Sequence, residues 1–268
     1  MDLAEKYGKV ALVAGASEGL GAAFARGLAG RGFDLILVAR RTELLKTTGD
    51  EIHRKYGSNV YPVTCDLSSV DAAEQIKQGV GSLDVNVLVY NAVSPYIGPF
   101  LSCPEDQQKR MDFVNVITVQ KLVHHFGGLM VKNGKGGIVL MSSLAGFQGS
   151  GFLTAYAAAK AFARVFAEGL WYEWKKKGVD VIACCAGATS TPNYLNSRPR
   201  SLGFFSPKVQ TPEAVVEECF QKLGSVPSFV SGRENRIAAF FMTRIFARRK
   251  AVMVMGDATR KIYDIEDS

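Results

Sequence analysis

Seven short β-rich runs punctuate the chain, and a longer crossover segment separates each from the next. The runs are KVALVAG, FDLILVAR, NVYPVTCD, VNVLVYNA, GGIVLMSS, GVDVIACCAG and PSFVSG. Most are continuously apolar instead of alternating, the pattern of strands covered on both faces. Helical patterns fall around residues 20 to 31, 42 to 56, 70 to 81, 104 to 132, 154 to 177 and 212 to 223. Strand, crossover and parallel strand, repeated along the chain, predict an α/β fold: a Rossmann-type, doubly wound, seven-stranded parallel sheet with helices on both faces. No linker interrupts the repeat, so residues 1 to 268 are expected to form one domain, and 47% hydrophobic content suffices for its core.

Composition excludes several classes of function. Lys and Arg outnumber Asp and Glu by 32 to 25, but no basic tract alternates with aromatics, so a nucleic-acid partner is not expected and an anionic ligand explains the excess as well. The opening MDLAEKYGKV is charged and lacks an apolar core, which predicts neither a secretory signal nor a transit peptide. Cys65, Cys103, Cys184, Cys185 and Cys219 have no metal-ligand spacing, so no metal site is expected. Their odd number suits a reducing compartment, and the expected location is cytoplasmic. No apolar run reaches the roughly 20 residues of a membrane span.

Two regions fall outside the repeating unit. Residues 189 to 210, TSTPNYLNSRPRSLGFFSPKVQ, follow the sixth strand, where open α/β sheets bind ligands, and read as a substrate flap. Residues 233 to 268 form a tail, helical and apolar to about 263, with eight Lys/Arg against two Asp/Glu between 233 and 261. Packing on the domain or on a second subunit is the commoner fate of such a tail. An anionic membrane surface would also suit it, placing the protein peripherally on a membrane.

The first strand runs directly into AGASEGLGAAFARG. Gly15, Gly19 and Gly21 let the backbone turn and approach a pyrophosphate resting on the next helix, so Gly15, Ser17, Glu18, Gly19, Leu20 and Gly21 are candidate cofactor contacts. Their spacing is G-x-x-x-G-x-G, one residue different from the general dinucleotide fingerprint, and glycines at such a turn also suit tight packing alone. The second strand ends LVARR, where an NAD site usually offers an acid; Asp34 lies at the strand's other end. Arg40 and Arg41 could pair a 2′-phosphate with charge-assisted bonds, which favours NADP(H), although two arginines there could also be a solvated edge. Asp66, followed by Leu67, is placed to accept from an adenine amino group or to cap a helix, and Asn91 and Ala92 end the fourth strand on the same crevice.

The segment TAYAAAKAFA sets Tyr156 and Lys160 four residues apart, hence on one face of a helix. The fifth strand delivers Ser142 and Ser143 to the sheet edge from which that helix departs. An ammonium beside the phenol is expected to lower its pKa from about 10 toward working pH and make it a general acid/base.

GASEGLG, CDL, YNA, VNVIT, SSLAG and YAAAK occur in the order that marks the short-chain dehydrogenase/reductase family, which the chain resembles over essentially its full length. The resemblance implies a catalytic tetrad of Asn115, Ser143, Tyr156 and Lys160. Ser143 would hold the substrate oxygen, Tyr156 exchange its proton, Lys160 bind the nicotinamide ribose and bias Tyr156, and Asn115 hold a water leading from Lys160 to solvent. Gly187, Thr189 and Thr191 would meet the cofactor after the sixth strand. Two departures are visible: the family's N-N-A-G reads Tyr90, Asn91, Ala92, Val93, and its P-G-x-V-x-T reads AGATST, so Ala186 and Thr189 differ. Both concern the backbone near the nicotinamide.

Tyr96, Phe152, Tyr194 and Phe204, with Phe205 and Phe147, could line an apolar pocket, or pack as ordinary core aromatics. The segment QTPEAVVEECFQKLGSVPSFVSGREN is similar to the hydroxysteroid dehydrogenase and long-chain 3-ketoacyl-CoA reductase branch. The expectation is an NADP(H)-dependent enzyme that interconverts a ketone and a secondary alcohol on a lipophilic substrate, steroid, fatty acyl or similar. A non-catalytic NADP(H)-binding regulator or scaffold is the alternative, as is epimerisation or dehydration on the same fold. His124 and His125 diverge by about 100 degrees on one helix and read as structural. Family habit implies a homodimer or homotetramer.

Overall fold

The computed structural model describes residues 3 to 200 and 208 to 265. Its strands are β1 (Val10–Ala14), β2 (Asp34–Ala39), β3 (Val60–Thr64), β4 (Val87–Tyr90), β5 (Gly136–Ser143), β6 (Val179–Ala186) and β7 (Ser228–Val230). All pairings are parallel, in the order β3-β2-β1-β4-β5-β6-β7. The chain steps outward from β1 to β3, then returns so that β4 pairs with the other side of β1. That reversal opens a crevice beyond the carboxyl ends of β1 and β4.

Helices cover both faces. α1 (Leu3–Tyr7), α2 (Gly19–Ala29) and α3 (Thr42–Tyr56) are followed by α4 (Ala72–Val80) and by α5, whose α-helical parts are Glu105–Asp112, Thr118–Leu122 and Gly128–Asn133. α6 (Thr154–Trp174), α7 (Pro192–Asn196), α8 (Pro212–Lys222), α9 (Arg233–Phe240) and α10 (Arg248–Tyr263) complete the set. Ala11 and Val13 of β1 join one core with Phe24, Leu45 and Val215, while Leu12 and Ala14 join the other with Ile76, Leu122 and Ala167. Each strand residue faces a core whichever way it points, which is why the runs read as continuously apolar. β3 departs from that pattern: Tyr61, Pro62 and Thr64 are exposed. It is an edge strand, where helix cover ends and a proline's missing N–H is tolerated.

The sequence predicts one helix over 104 to 132. The structure interrupts it with two π-helical turns, Phe113–Ile117 and Val123–Gly127. A π turn widens the hydrogen-bond step and leaves a carbonyl without its α-helical partner. Tyr90 answers the first of them, its Oη donating to the Val114 carbonyl at 2.6 Å in a buried contact. The residue that departs from the family's Asn thus braces β4 against α5. Thr118 adds a second tie, its hydroxyl donating to the Leu67 carbonyl at 2.9 Å.

The tail folds back on the domain. A π-helical turn, Phe241–Ile245, follows α9, and Phe246 takes an extended conformation that turns α10 across the loop before α6. Arg248 Nη1 donates to the Phe147 carbonyl at 2.7 Å, and Ala251 and Thr259 are buried. Ile237, Phe240, Phe241, Ile245 and Met253 face outward, and among the described residues no helix is long and apolar enough to cross a membrane.

Tyr90→Phe leaves the Val114 carbonyl buried without its donor. A loss of about 1–3 kcal/mol of stability is expected by urea denaturation, with an unchanged m value.

Candidate active site

At the phosphate end, Gly15 leaves β1 with φ 81, and the N–H groups of Gly15 and Ala16 both donate to the Val38 carbonyl, at 2.8 and 3.1 Å. A Cβ on Gly15 would lie 2.8 Å from Ala92 Cα, and one on Gly21 would run into the Gly15 carbonyl. Bare backbone is required at both places. Asn91 Nδ2 donates to the Gly15 carbonyl at 3.1 Å and ties β4 to the loop. Gly19 opens α2 with φ 57 and faces Thr191, where a Cβ would stop 3.0 Å from Thr191 Cβ. Glu18 gives α2 no side-chain cap, while Leu20 packs on the core. The cradle that side chains would fill, at a helix N-terminus, fits a dinucleotide pyrophosphate.

The two arginines after β2 part company. Arg41 turns back onto the loop, its Nη2 2.8 Å from Glu18 Oε1 and donating to Ser17 Oγ at 3.2 Å. Arg40 is exposed, and its charge bears on Asp66. Burial would raise the Asp66 carboxyl, but hydrogen bonds from Ser68, with Arg110 and Arg40 nearby, hold it below the usual range. Asp66 Oδ1 accepts from the Ser68 N–H and hydroxyl at 3.0 and 2.8 Å, and Oδ2 lies 3.4 Å from Arg110 Nη1. Asp66 is thus engaged first in its own turn, with Leu67 buried behind it.

At the other end of the crevice, Ser142 Oγ donates to the Lys160 carbonyl at 2.7 Å and clamps β5 to α6. Ser143 Oγ accepts from the Ala145 N–H at 3.2 Å. A Cβ on Gly146 would lie 2.7 Å from the Lys160 carbonyl carbon, so the loop lies flat on the helix. Lys160 is buried; its Nζ donates to the Met141 carbonyl at 2.9 Å and stands 5.7 Å from the centroid of the Tyr156 ring.

Burial pulls the Lys160 ammonium down to about 8. Burial also pushes the Tyr156 phenol up; the neighbouring Ser143 hydroxyl works to lower it, and Tyr263 adds to the rise. This corrects the expectation that the lysine draws the phenol down. With Nζ bonded to a carbonyl, loss of solvent dominates at both groups.

Asn115 lies in the first π-helical turn, held by Ser94: its Oδ1 accepts from the Ser94 N–H at 2.9 Å and its Nδ2 donates to the Ser94 carbonyl at 2.8 Å. A narrow cavity, with room for about one water molecule, lies among Tyr90, Asn115, Met141 and Lys160. After β6, a Cβ on Gly187 would meet the Asn235 amide, and buried Thr189 donates to the Gly187 carbonyl at 3.1 Å. Thr191 caps α7, its hydroxyl accepting from the Tyr194 N–H at 3.3 Å.

On the substrate side, the Gly98 N–H donates to the Phe152 carbonyl at 2.9 Å, joining the Tyr96 loop to the one before α6. Phe152 has φ 63, a strained conformation for a residue other than glycine. Tyr194 is partly buried, whereas Phe204 and Phe205 lie outside the described residues. His124 is exposed and His125 half-buried. Ser94 and Tyr263 carry no local sequence signal, because their places are set by π-turn geometry and by the return of the tail.

The family model for short chain dehydrogenase matches residues 9–201. A 7beta-hydroxysteroid dehydrogenase from Clostridium sardiniense is 35% identical over 236 residues, covering 88% of this chain and 90% of that protein. A very-long-chain 3-oxoacyl-CoA reductase-B from Danio rerio is 31% identical over 225 residues, 82% of this chain and 70% of the relative. A solved structure concerned with 7beta-hydroxysteroid dehydrogenase stereoselectivity superimposes with TM-score 0.89 at 31% identity, covering 95% of this chain and 99% of the other.

Lys160 generates a pH test. Its pKa falls from 10.5 to about 8 on folding, so between those values the unfolded chain binds more protons and this group adds stability as pH rises. Urea denaturation of cofactor-free protein across that window should show a rise that Lys160→Met removes; equal slopes in the two proteins would refute the burial reading.

Proposed function

The chain belongs to the short chain dehydrogenase family, and on that premise we propose an NADP(H)-dependent oxidoreductase that interconverts a ketone and a secondary alcohol on a lipophilic substrate, a steroid foremost. The observation that carries this reading is the convergence of Ser143, Tyr156 and Lys160 at the sheet edge that also holds the glycine cradle. Identity to a hydroxysteroid dehydrogenase over most of both chains supports the steroid, and the reductase relative keeps a long acyl ketone as the neighbouring class.

The cofactor, held by Gly15, Ser17, Gly19, Gly21, Asn91, Ala92, Gly187 and Thr191, supplies the hydride when bound. Arg41 turns onto Ser17 and Glu18, which supports a role in pairing a 2′-phosphate once it gives up an exposed ion pair of little strength. Ser143 Oγ orients the substrate oxygen, and Tyr156 Oη gives that oxygen its proton during reduction. Below about pH 8 Lys160 keeps its charge on the Met141 carbonyl, where its ammonium would hold the nicotinamide ribose next to Tyr156. The cavity next to Lys160 and Asn115 has room for about one water, which would restore that proton.

Exposed Val165 and Tyr172 on α6 offer apolar surface for a homodimer or homotetramer, five buried free thiols suit a cytoplasmic setting, and outward Phe240, Phe241 and Ile245 would serve any peripheral membrane contact.

NADPH oxidation should be observed with a panel of ketosteroids and 3-ketoacyl thioesters. Tyr156→Phe should lower turnover by at least about a hundredfold while NADPH affinity stays within twofold of wild type, about a few tenths of a kcal/mol; retained turnover would remove Tyr156 from the proton step. Arg41→Ala should weaken NADPH by about tenfold or more and leave NADH nearly unchanged, and equal losses would refute the 2′-phosphate assignment.

A further inference from the structure

The sequence places α10 outside the repeating unit, yet its last turns pack on the loop that leads into α6. Ser150 Oγ and Thr259 Oγ1 stand 3.1 Å apart with both residues buried. A Cβ on Gly151 would lie 3.5 Å from Gly256 Cα, so helix backbone rests against the loop that leads into α6. On the other side Arg200, at the end of the flap's first described stretch, donates its N–H to the Ile262 carbonyl at 2.7 Å and ion-pairs with Asp264. The end of α10 is therefore clamped between the loop before Tyr156 and the flap that carries Tyr194.

Tyr263 follows Thr259 by four residues, so the helix face that carries Thr259 into the Ser150 loop carries Tyr263 one turn further along. Its ring is partly buried, and its phenol bears on those of both Tyr156 and Tyr194, opposing the ionisation of each. Among the described residues its hydroxyl makes no hydrogen bond, although a tyrosine drawn in from solvent usually finds one. A rigid amphipathic ring with an uncommitted polar tip, beside the residue that handles the substrate oxygen, is suited to meeting a ligand.

We infer that Tyr263 is a substrate-binding, specificity-determining residue of this site: with Tyr194 it forms an aromatic rim beside Tyr156 for the body of a bulky ketone such as a ketosteroid, and offers its hydroxyl to a polar group on that body. This rests on the proposed function. The helix that ends the chain is then part of the active-site wall, and the Arg200 contacts bind it to the flap as one unit.

The test compares wild type, Tyr263→Phe and Tyr263→Ala as full chains. Calorimetric titration of a ketosteroid into NADP+-loaded protein gives affinity, and kcat and KM are measured for the ketosteroid and for a small aliphatic ketone. Tyr263→Ala should weaken ketosteroid affinity about tenfold, with a smaller loss in Tyr263→Phe. The ketosteroid should lose several-fold more kcat/KM than the small ketone while NADPH affinity stays within twofold, whereas a merely structural role would depress both ketones alike. If Tyr263→Ala does not fold, Tyr263→Leu, which keeps apolar bulk, carries the same comparison. Equal ketosteroid affinity in wild type and variant, or parallel losses for both ketones, overturns the inference and leaves the proposed function standing. A wild type that binds NADPH and neither binds nor reduces any ketone overturns the proposed function and this inference with it.

Discussion

An ammonium group drawn out of water has to be met by polar atoms, and Lys160 is met by the Met141 carbonyl at 2.9 Å. That contact requires α6 to lie directly on the end of β5, and the surroundings are built to let it. Ser142 bonds back to the Lys160 carbonyl, and Gly146 has no side chain to hold the following loop away from the helix. The same closeness brings Ser143 to Tyr156. Burial then depresses the amine to about 8 and raises the phenol, so each group is held nearer to neutrality than it would be in water.

The departure from the family pattern at Tyr90 illustrates how one brace can replace another. Where the family pattern has an asparagine, a phenol here spans to the Val114 carbonyl inside the first π-helical turn. The turn also carries Asn115, whose amide is held at both ends by the backbone of Ser94. A widened helical turn, a buried phenol and a fixed amide act together to place one polar side chain beside the cavity at Lys160.

Much of this was legible in residue order. The continuous apolar runs specify a sheet covered on both faces, and the glycines where β1 gives way to α2 stand where backbone packs too closely for a side chain, Gly15 against Ala92 and Gly21 against the Gly15 carbonyl. Spacing by four sets Tyr156 and Lys160 on one helix face. The two arginines after β2 were not separable in sequence, since adjacent side chains diverge and only the path of α3 decides that Arg41 meets Ser17 and Glu18 while Arg40 bears on Asp66.

The sequence by itself determined the order of the strands and helices and the residues brought to the carboxyl edge of the sheet, because periodicity, glycine conformation and helical spacing are local properties of the chain. Tertiary structure alone decided the ionisation of Lys160 and Tyr156, the break of α5 into π-helical turns, and the return of the tail that docks α10 on the loop before α6. Desolvation, the relief of a buried carbonyl and the docking of α10 depend on atoms far apart along the chain, and those meet only once the fold is complete.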